Sequence, residues 1–159
     1  MTSKYYVQLT TDGSSLGNPG PGGYAAILEC GENRKTISAG FNRTTNNRME
    51  IMAVIAGLKA LKRPESVLVR TDSQYVANAV TKGWLKKWQK NGWQTASKKP
   101  VKNKDLWEIF AQETGRHDIK FEWVKGHAGD ERNEQCDQLA KAEASRSNLP
   151  PDTGYSFTD

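Results

Sequence analysis

The chain has 159 residues, the usual length of one domain, so we expect a single domain over residues 1–159. Hydrophobic residues make up 36% of it, including five Trp and five Tyr, and this composition excludes a chain that is disordered throughout. The formal charge is +5, no apolar run approaches the roughly 20 residues of a membrane-spanning helix, and the polar N-terminus lacks the apolar core of a secretory signal. We therefore expect a cytoplasmic protein that makes no membrane contact.

The first forty residues are predicted to form three strands. Residues 5–12 alternate in polarity and are rich in β-forming side chains, and residues 13–23 form a loop dense in Gly, Pro and Asn. Residues 24–30 and 35–41 are two further strands, joined by a polar turn at residues 31–34. Together these segments indicate a β-meander.

The next segment is predicted to contain two helices with a strand between them. From residue 47 to about residue 62 apolar side chains cover nearly every face of a helix, which implies burial on most sides. Pro64 ends that helix. Residues 67–72 form a short strand, Ser73 caps the next helix, and this helix runs over residues 74–80.

The C-terminal part continues the alternation of helices and strands. Residues 105–114 are predicted to be a helix, residues 119–124 a strand and residues 131–144 a final helix. Residues 145–159, which include two consecutive prolines, are expected to form a loose tail. A β-meander followed by alternating helices and strands indicates the α/β class with a mixed sheet.

Residues 82–104, the basic segment, hold the positive charge of the chain. The segment contains eight Lys, three Trp and no acidic residue, whereas the rest of the chain has 15 basic and 18 acidic residues. Ammonium groups neutralise phosphates and indoles stack on bases, so the segment favours a polyanion as partner, with a solvated basic face as the alternative. Trp84 and Trp88 lie four residues apart on one helical face, where at least one ring is expected to pack against the protein body.

Two of the predicted strands end with Thr-Asp before a turn. Asp12 and Asp72 therefore stand at the carboxyl ends of strands, the edge at which α/β sheets bind ligands. If the two strands are parallel neighbours, their carboxylates lie within a few ångströms of each other and need a cation. Ligation by oxygen alone favours Mg²⁺ or Mn²⁺ over zinc. Because Asp is also a common turn residue and helix cap, a structural role for this pair stays open.

Three further residues are candidates for the same site. Glu50 lies in the first turn of the apolar helix, where it is a third metal ligand, the partner of Asn47 in a capping-box arrangement, or both. Asp137 lies in the last helix, and its spacing alone favours a solvated acid. His127 lies in a Gly-rich loop, and its imidazole exchanges protons near neutral pH.

Four motifs carry a resemblance to a known family. They are TDGSSLGNPGPGGY at residues 11–24, TTNNRME at residues 44–50, TDSQYV at residues 71–76 and WVKGHAG at residues 123–129. Over roughly residues 5–155 the chain resembles the bacterial ribonuclease HI family, the type 1 ribonucleases H. The resemblance implies a ribonuclease H-like α/β fold with a five-stranded mixed sheet flanked by helices on both faces. It also implies an endoribonuclease that cleaves the RNA strand of RNA–DNA hybrids and leaves 5′-phosphate and 3′-hydroxyl ends.

The same resemblance assigns catalytic roles residue by residue. It makes Asp12, Glu50, Asp72 and Asp137 the catalytic, metal-binding carboxylates, and His127 a mobile auxiliary base or product-release residue. Asp137 is thereby assigned to the site although its spacing alone favours a solvated acid. The cofactor implied is Mg²⁺, with Mn²⁺ possible, and two ions are expected in the substrate complex.

The resemblance also implies how the hybrid substrate is bound. Polar loop residues contact the hybrid near the scissile bond or bind its phosphates, and the basic segment grips the DNA strand. The residues concerned are Asn18, Asn46 and Gln74 near the scissile bond, Arg43, Thr45 and Asn103 in a phosphate pocket, and Trp84, Lys86, Lys87, Trp88 and Lys90 in the basic segment.

Two other functions stay open at this point. One is a non-catalytic module that binds hybrids and whose acidic residues only cap helices. The other is a related metal-dependent nuclease that cleaves DNA, because the same kind of sheet with clustered acids serves both chemistries. In all three cases we expect a nucleic acid as the partner, no required protein partner and a monomer.

Overall fold

The computed structural model describes residues 7–125 and 130–155. Within these residues the chain forms five strands and five helices. In chain order they are β1 (Val7–Ser15), β2 (Gly20–Cys30), β3 (Asn33–Thr44), α1 (Asn46–Lys59), β4 (Ser66–Thr71), α2 (Gln74–Thr81), α3 (Trp84–Lys90), α4 (Lys104–Gly115), β5 (Asp118–Trp123) and α5 (Glu131–Ala144). None of these helices is both long enough and apolar enough to cross a membrane.

The strands form one mixed sheet in the order β3-β2-β1-β4-β5. The pairs β1–β2 and β2–β3 are antiparallel, as expected for a meander of consecutive strands. By contrast, β4 lies parallel to β1 on one side and to β5 on the other, and each parallel pair is connected through helices. The predicted five-stranded mixed sheet is confirmed.

Helices cover both faces of the sheet because successive strand residues point to opposite sides. In β2, Ala25 and Ile27 pack against Cys136 of α5 in a small buried cluster. The intervening residues Ala26 and Leu28 belong to the main core on the other face. The α5 helix therefore covers β1, β2 and β3 on one side, and α1 lies against the same strands from the other side.

The main core lies between the sheet and a second layer that contains α1 and α4. Helix α1 contributes Ile51, Val54 and Leu58, which are completely or almost completely buried. Helix α4 contributes Trp107 and Phe110, whose rings stack edge to face with centroids 5.1 Å apart. Because α1 packs against both the sheet and α4, its apolar residues extend around most of the helix, as the sequence predicts.

The hairpin between β1 and β2 is longer than the sequence predicts. Strand β1 continues past Asp12 to Ser15, and β2 begins at Gly20, within the stretch expected to be a loop. The pairing of Gly13 with Tyr24 continues the same antiparallel register. Strand pairing therefore overrides the turn-forming composition of this stretch.

Helix α1 is shorter than predicted at its C-terminal end. It ends at Lys59 rather than near residue 62, and Ala60 is the C-cap. The N–H of Ala60 still donates to the carbonyl oxygen of Ala56, but the chain then turns toward β4 ahead of Pro64. The apolar residues that follow the end of the helix are the reason why the sequence predicts a longer one.

Residues 150–155 are bound to the protein body, so the prediction of a loose tail is wrong for this stretch. The carbonyl oxygen of Pro150 accepts a hydrogen bond from the N–H of Asn42 at 2.8 Å. The Asp152 carboxylate is buried and accepts hydrogen bonds from Thr44 and Arg48, both at 2.7 Å. The stretch is retained by a buried ion pair, and residue composition alone does not reveal such a contact.

Candidate active site

Two acidic residues meet at the carboxyl end of the central parallel strand pair. Thr11 in β1 pairs with Thr71 in β4, and the residue that follows each of them is an aspartate. Asp12 and Asp72 are therefore adjacent across the pair, as the repeated Thr-Asp pattern predicts. Asp12 is buried, and the N–H of Gly13 donates to its Oδ1 at 2.9 Å.

A third acid comes from α1, which packs directly against this strand end. Gly13 permits the close approach, since a Cβ at this position would lie 2.4 Å from the backbone nitrogen of Glu50. The capping-box role of Glu50 with Asn47 is wrong because α1 begins one residue earlier, at Asn46. Its N-cap is Thr45, whose side chain accepts from the N–H of Arg48 at 3.2 Å. Glu50 thus lies in the second turn and points toward Asp12.

These three carboxylates form a site that suits a divalent cation. One oxygen of each of Asp12, Glu50 and Asp72 lies within 4.8 Å of the other two. Glu50 is 4% exposed, and its Oε1 is buried without any hydrogen-bond partner. An oxygen in that position needs a cation or a proton. A cluster made only of carboxylate oxygens fits a hard ion such as Mg²⁺ or Mn²⁺ better than zinc.

The clustering changes the protonation of two of the three acids. Burial and, next, repulsion from Asp72 raise the pKa of Asp12 to about 7. Burial and repulsion from Asp12 raise the pKa of Glu50 well above its ordinary value. Both shifts describe the cluster without a cation, because a bound divalent ion favours the ionised carboxylates and reverses the effect. Metal binding is therefore linked to proton release at this site.

The raised pKa of Asp12 predicts a pH-dependent cost in stability when no metal is bound. Below pH 3.8 Asp12 is protonated in both the folded and the unfolded state, and its stabilising contribution is complete. As the pH rises through about 7 this contribution is lost, because the folded protein must ionise a buried acid. In EDTA we expect Asp12→Asn to be more stable than the parent by about 1–4 kcal/mol at pH 8, with little difference at pH 4.

Urea unfolding in EDTA between pH 4 and pH 9 measures this difference. Glu32→Gln is the matched control, since it removes one exposed acid from the turn at the other end of the sheet and should leave the pH profile unchanged. Equal stability of Asp12→Asn and the parent at pH 8 would contradict the raised pKa.

Asp137 and His127 are placed differently from the three clustered acids. Asp137 lies in α5, close enough for its charge to contribute to the raised pKa of Asp12. It is outside the group within 4.8 Å, and its Oδ2 lies 3.1 Å from Nζ of Lys141. His127 falls outside the described residues. The catalytic roles of both residues stay predictions.

The structure also shows a contact at Asp72 that the sequence did not suggest. The indole N–H of Trp123, at the end of β5, donates to the carbonyl oxygen of Asp72 at 3.0 Å. The next residue, Val124, donates its backbone N–H to the carbonyl oxygen of Thr71 at 2.8 Å. Strand β5 thereby fixes the backbone that carries Asp72. The position of Trp123 at the carboxyl end of a strand is the sequence signal for this role.

The residues expected near the scissile bond lie in the connection between β1 and β2 and at the first positions of α1 and α2. Asn18 and Asn46 are joined by a hydrogen bond, in which the backbone N–H of Asn46 donates to Oδ1 of Asn18 at 3.1 Å. Gln74 is the first residue of α2 and is exposed, immediately after the N-cap Ser73, which the sequence also predicts. All three polar side chains stand at the same edge of the sheet as Asp12.

The residues expected to bind a phosphate come from two separate parts of the chain. Arg43 is exposed near the end of β3, and Thr45 caps α1. Asn103 comes from the other side, as the residue preceding α4, and is mostly buried. Hydrogen bonds through Arg48 connect these two sides, since Arg48 binds Thr45 through its backbone and Asn103 through its guanidinium.

The basic segment contains the short helix α3, and its residues lie partly in the core and partly at the surface. Trp88 is half buried and packs at a tilt against Trp107 of the protein body, with ring centroids 5.8 Å apart. Trp84 keeps 36% exposure and packs on Trp88 at 6.3 Å. One ring thus anchors the segment, as expected, and the other faces solvent. Three lysines of this helix are exposed: Lys86, Lys87 and Lys90.

Comparison with known proteins decides the family. The sequence matches the RNase H family over residues 4–145, which is most of the chain. The chain belongs to the ribonuclease H family. A ribonuclease H of Nitratidesulfovibrio vulgaris strain DP4 is 57% identical over 153 residues, which are 96% of this chain and 98% of that protein.

Two further ribonucleases H show the same similarity in sequence and in structure. The ribonuclease H of Escherichia coli O127:H6 is 58% identical over 149 residues, or 94% of this chain and 95% of that protein. The crystal structure of LC9-RNase H1, a type 1 RNase H with the type 2 active-site motif, superposes with a TM-score of 0.79 and 30% identity. That superposition covers 91% of this chain and 74% of the LC9 chain. The predicted ribonuclease H-like fold is confirmed.

Proposed function

We propose that Asp12, Glu50, Asp72 and Asp137 hold divalent metal for hydrolysis of RNA in RNA–DNA hybrids. As a ribonuclease H, the chain is an endoribonuclease that cleaves the RNA strand of such hybrids. The family is metal dependent, and the described residues supply an acidic cluster in which Glu50 Oε1 has no partner. This clustering of three carboxylates around a buried oxygen without a partner is the observation that supports the proposal most directly.

The proposed roles of the residues follow from their charges and positions. Asp12, Glu50 and Asp72 provide oxygen ligands from three different elements, so their relative positions are set by the β1–β4 pairing and by α1. Two bound Mg²⁺ or Mn²⁺ ions would activate water and stabilise the leaving 3′ oxygen in an in-line displacement at phosphorus. The products would carry 5′-phosphate and 3′-hydroxyl ends. Asp137 would complete the ligand set from α5, and His127 would accept a proton or assist product release.

We also propose that the loops around the cluster recognise the hybrid. Asn18, Asn46 and Gln74 supply amide donors and acceptors that suit a ribose 2′-hydroxyl, which donates and accepts. Their exposed positions beside the cluster support this assignment. Arg43 and Thr45, together with Asn103, would bind a backbone phosphate, because a guanidinium, a hydroxyl and an amide all donate hydrogen bonds.

The basic segment is proposed to bind the DNA strand of the hybrid. Lys86, Lys87 and Lys90 project from α3, where no acidic residue of the segment neutralises them. The exposed Trp84 ring adds apolar surface beside these charges, and Nζ of Lys82 lies 5.9 Å from the centre of that ring. Such a combination binds a phosphodiester backbone without reading its sequence.

Removal of these charges should weaken substrate binding without changing the chemical step. For the triple variant Lys86→Gln, Lys87→Gln and Lys90→Gln we expect KM for the hybrid to rise at least about tenfold at 100 mM salt, with kcat within about twofold. The slope of log KM against log salt should also decrease, because fewer counterions are released.

Steady-state kinetics between 50 and 200 mM KCl measure both effects. The matched control replaces three exposed lysines elsewhere, Lys35, Lys59 and Lys120, with Gln. An equal rise in KM for both triple variants would indicate a general charge effect and contradict a specific role for the basic segment.

The proposed function is tested directly with a labelled RNA–DNA hybrid. In Mg²⁺ we expect cleavage of the RNA strand that EDTA abolishes, with duplex DNA and duplex RNA left intact. Binding without cleavage in both Mg²⁺ and Mn²⁺ would indicate a hybrid-binding module, and equal cleavage of duplex DNA would indicate a DNA nuclease.

We further propose that the enzyme acts as a cytoplasmic monomer, for which specific activity stays constant as the enzyme is diluted.

A further inference from the structure

A buried arginine contacts Asn103, one of the proposed phosphate-binding residues. The side chain of Arg48, in α1, has no solvent exposure. Its Nη1 and Nη2 donate to Asp105 at 2.9 and 2.7 Å, and its Nε and Nη2 donate to Asp152 at 2.7 and 3.2 Å. Nη1 also donates to Oδ1 of Asn103 at 3.3 Å. All five N–H groups of the guanidinium are therefore satisfied, which is the full donor capacity of an arginine.

The partners of Arg48 come from separate parts of the chain. Asp105 lies in the first turn of α4, and Asp152 lies in the stretch of residues 150–155 that follows α5. The Asp152 carboxylate also accepts a hydrogen bond from Oγ1 of Thr44, the last residue of β3. The network thus joins the end of β3, the beginning of α1 and the beginning of α4 to the C-terminal stretch. Stability alone does not require a buried ion pair at this place, since apolar residues of similar volume often stabilise a protein interior at least as well.

The network determines the orientation of the Asn103 amide. Arg48 occupies the Oδ1 acceptor, and Nδ2 donates one of its two hydrogens to the Tyr75 hydroxyl at 3.2 Å. The second hydrogen on Nδ2 is the donor that the amide still offers. Asn103 also has a φ of 62°, a left-handed conformation that an asparagine tolerates better than most residues. Its backbone and its side chain are therefore both held in one arrangement.

The groove above this amide has the chemistry of a phosphate site. It has a volume of about 450 Å³, and its lining includes Asn103, Trp84, Trp88, Lys99 and Lys102. A phosphate oxygen accepts hydrogen bonds only, so it binds an amide that presents N–H and is repelled by one that presents oxygen. With Arg48 in place, the oxygen of the Asn103 amide is held toward the guanidinium.

We propose that Arg48 and Asp152 are positioning residues for hybrid binding. Asp152 holds the guanidinium, the guanidinium holds Oδ1 of Asn103, and the amide then presents N–H to a phosphate of the substrate backbone. The C-terminal stretch therefore contributes to substrate affinity without contacting the substrate. This inference rests on the proposed function, because the ligand it concerns is the RNA–DNA hybrid.

Asp152→Asn tests the inference with little change in side-chain volume. We expect the Kd for the hybrid, measured by anisotropy in EDTA where no cleavage occurs, to rise about three- to tenfold, as for the loss of one net hydrogen bond. KM should rise by the same factor and kcat should stay within about twofold. The slope of log Kd against log salt should stay at the parent value, because a neutral amide releases no counterion from the phosphate that it binds.

Glu143→Gln is the matched control for a merely structural effect. Glu143 accepts hydrogen bonds from Ser38 and Arg146 and ties the end of α5 to β3, far from α4. It should lower the melting temperature without raising Kd. If Asp152→Asn lowers the melting temperature and leaves Kd and KM at the parent values, the positioning role is overturned.

A double variant tests whether the effect passes through Asn103. In an Asn103→Ala background, Asp152→Asn should change Kd by less than about twofold, because the amide that it positions is already absent. A full additional effect in that background would also overturn the proposal. Failure of the proposed function is a separate result, since it is seen in the parent protein as an absence of specific RNA-strand cleavage, whereas this inference concerns the change in Kd between variants.

Discussion

Asp12→Asn is expected to reduce cleavage of the RNA strand at least about a thousandfold while leaving the Kd for the hybrid within about threefold. Asp12 belongs to the acidic cluster with Glu50 and Asp72, and asparagine removes its charge without removing its volume. The amide is a weaker ligand for a hard cation than a carboxylate. Because the proposed substrate-binding residues are other side chains than Asp12, several of them in the basic segment, binding should persist.

Single-turnover cleavage in Mg²⁺ and fluorescence anisotropy in EDTA measure these two quantities separately. Calorimetric titration with Mn²⁺ adds a readout that does not depend on activity, and Asp12→Asn should bind the ion at least about tenfold more weakly than the parent. Glu32→Gln again serves as the control, since it makes the same change of charge at the opposite end of the sheet. Undiminished cleavage by Asp12→Asn would remove Asp12 from the proposed mechanism.

Arg48→Met is expected to lower the free energy of unfolding by about 3–5 kcal/mol. The side chain of Asp152 is 4% exposed and would lose its buried cation, which leaves an unpaired carboxylate in the interior. Asp105 is 43% exposed and contributes less, because water solvates it when the arginine is absent. Methionine fills much of the same volume, so the loss is electrostatic rather than a cavity effect.

Urea unfolding at pH 7 measures the loss, and Arg63→Met is the matched control. Arg63 pairs with Glu65 but is 85% exposed, so its replacement should change stability by less than about 0.5 kcal/mol. Arg48 lowers the pKa of Asp105. The stabilisation from this ion pair is therefore present above pH 3.8 and is lost as the pH falls further. The difference between Arg48→Met and the parent should therefore be smaller at low pH. Equal losses for the two Arg→Met variants would show that the buried network contributes nothing.

The sequence predicts the acidic pair well because its signal is local. Thr-Asp at the end of two strands places Asp12 and Asp72 at the same edge of any sheet in which those strands are parallel neighbours. Glu50 is less determined, since an acid near the beginning of a helix has an ordinary capping role. Only the packing of α1 against Gly13 shows that Glu50 faces the other two acids.

Contacts between distant segments are the part that the sequence did not reveal. Arg48 lies within an apolar helix pattern, and nothing in its neighbourhood along the chain identifies Asp105 and Asp152 as its partners. The same holds for the stretch of residues 150–155, whose prolines and polar residues predict a loose tail although Asp152 fastens it. Ion pairs between residues 57 and 104 positions apart, such as these two, have no signature in periodicity or composition.

The sequence by itself determined the class of the fold, the order of its elements and the kind of chemistry, through hydrophobic periodicity, turn residues and the motifs that carry the resemblance. These are properties of short segments, and short segments set local backbone preferences and which face is apolar. The tertiary structure alone decided how long the β1–β2 hairpin extends, that Glu50 joins the aspartates, and that Arg48 pairs with Asp105 and Asp152. Each of these depends on which distant atoms are brought within a few ångströms, and packing of the whole chain fixes those distances.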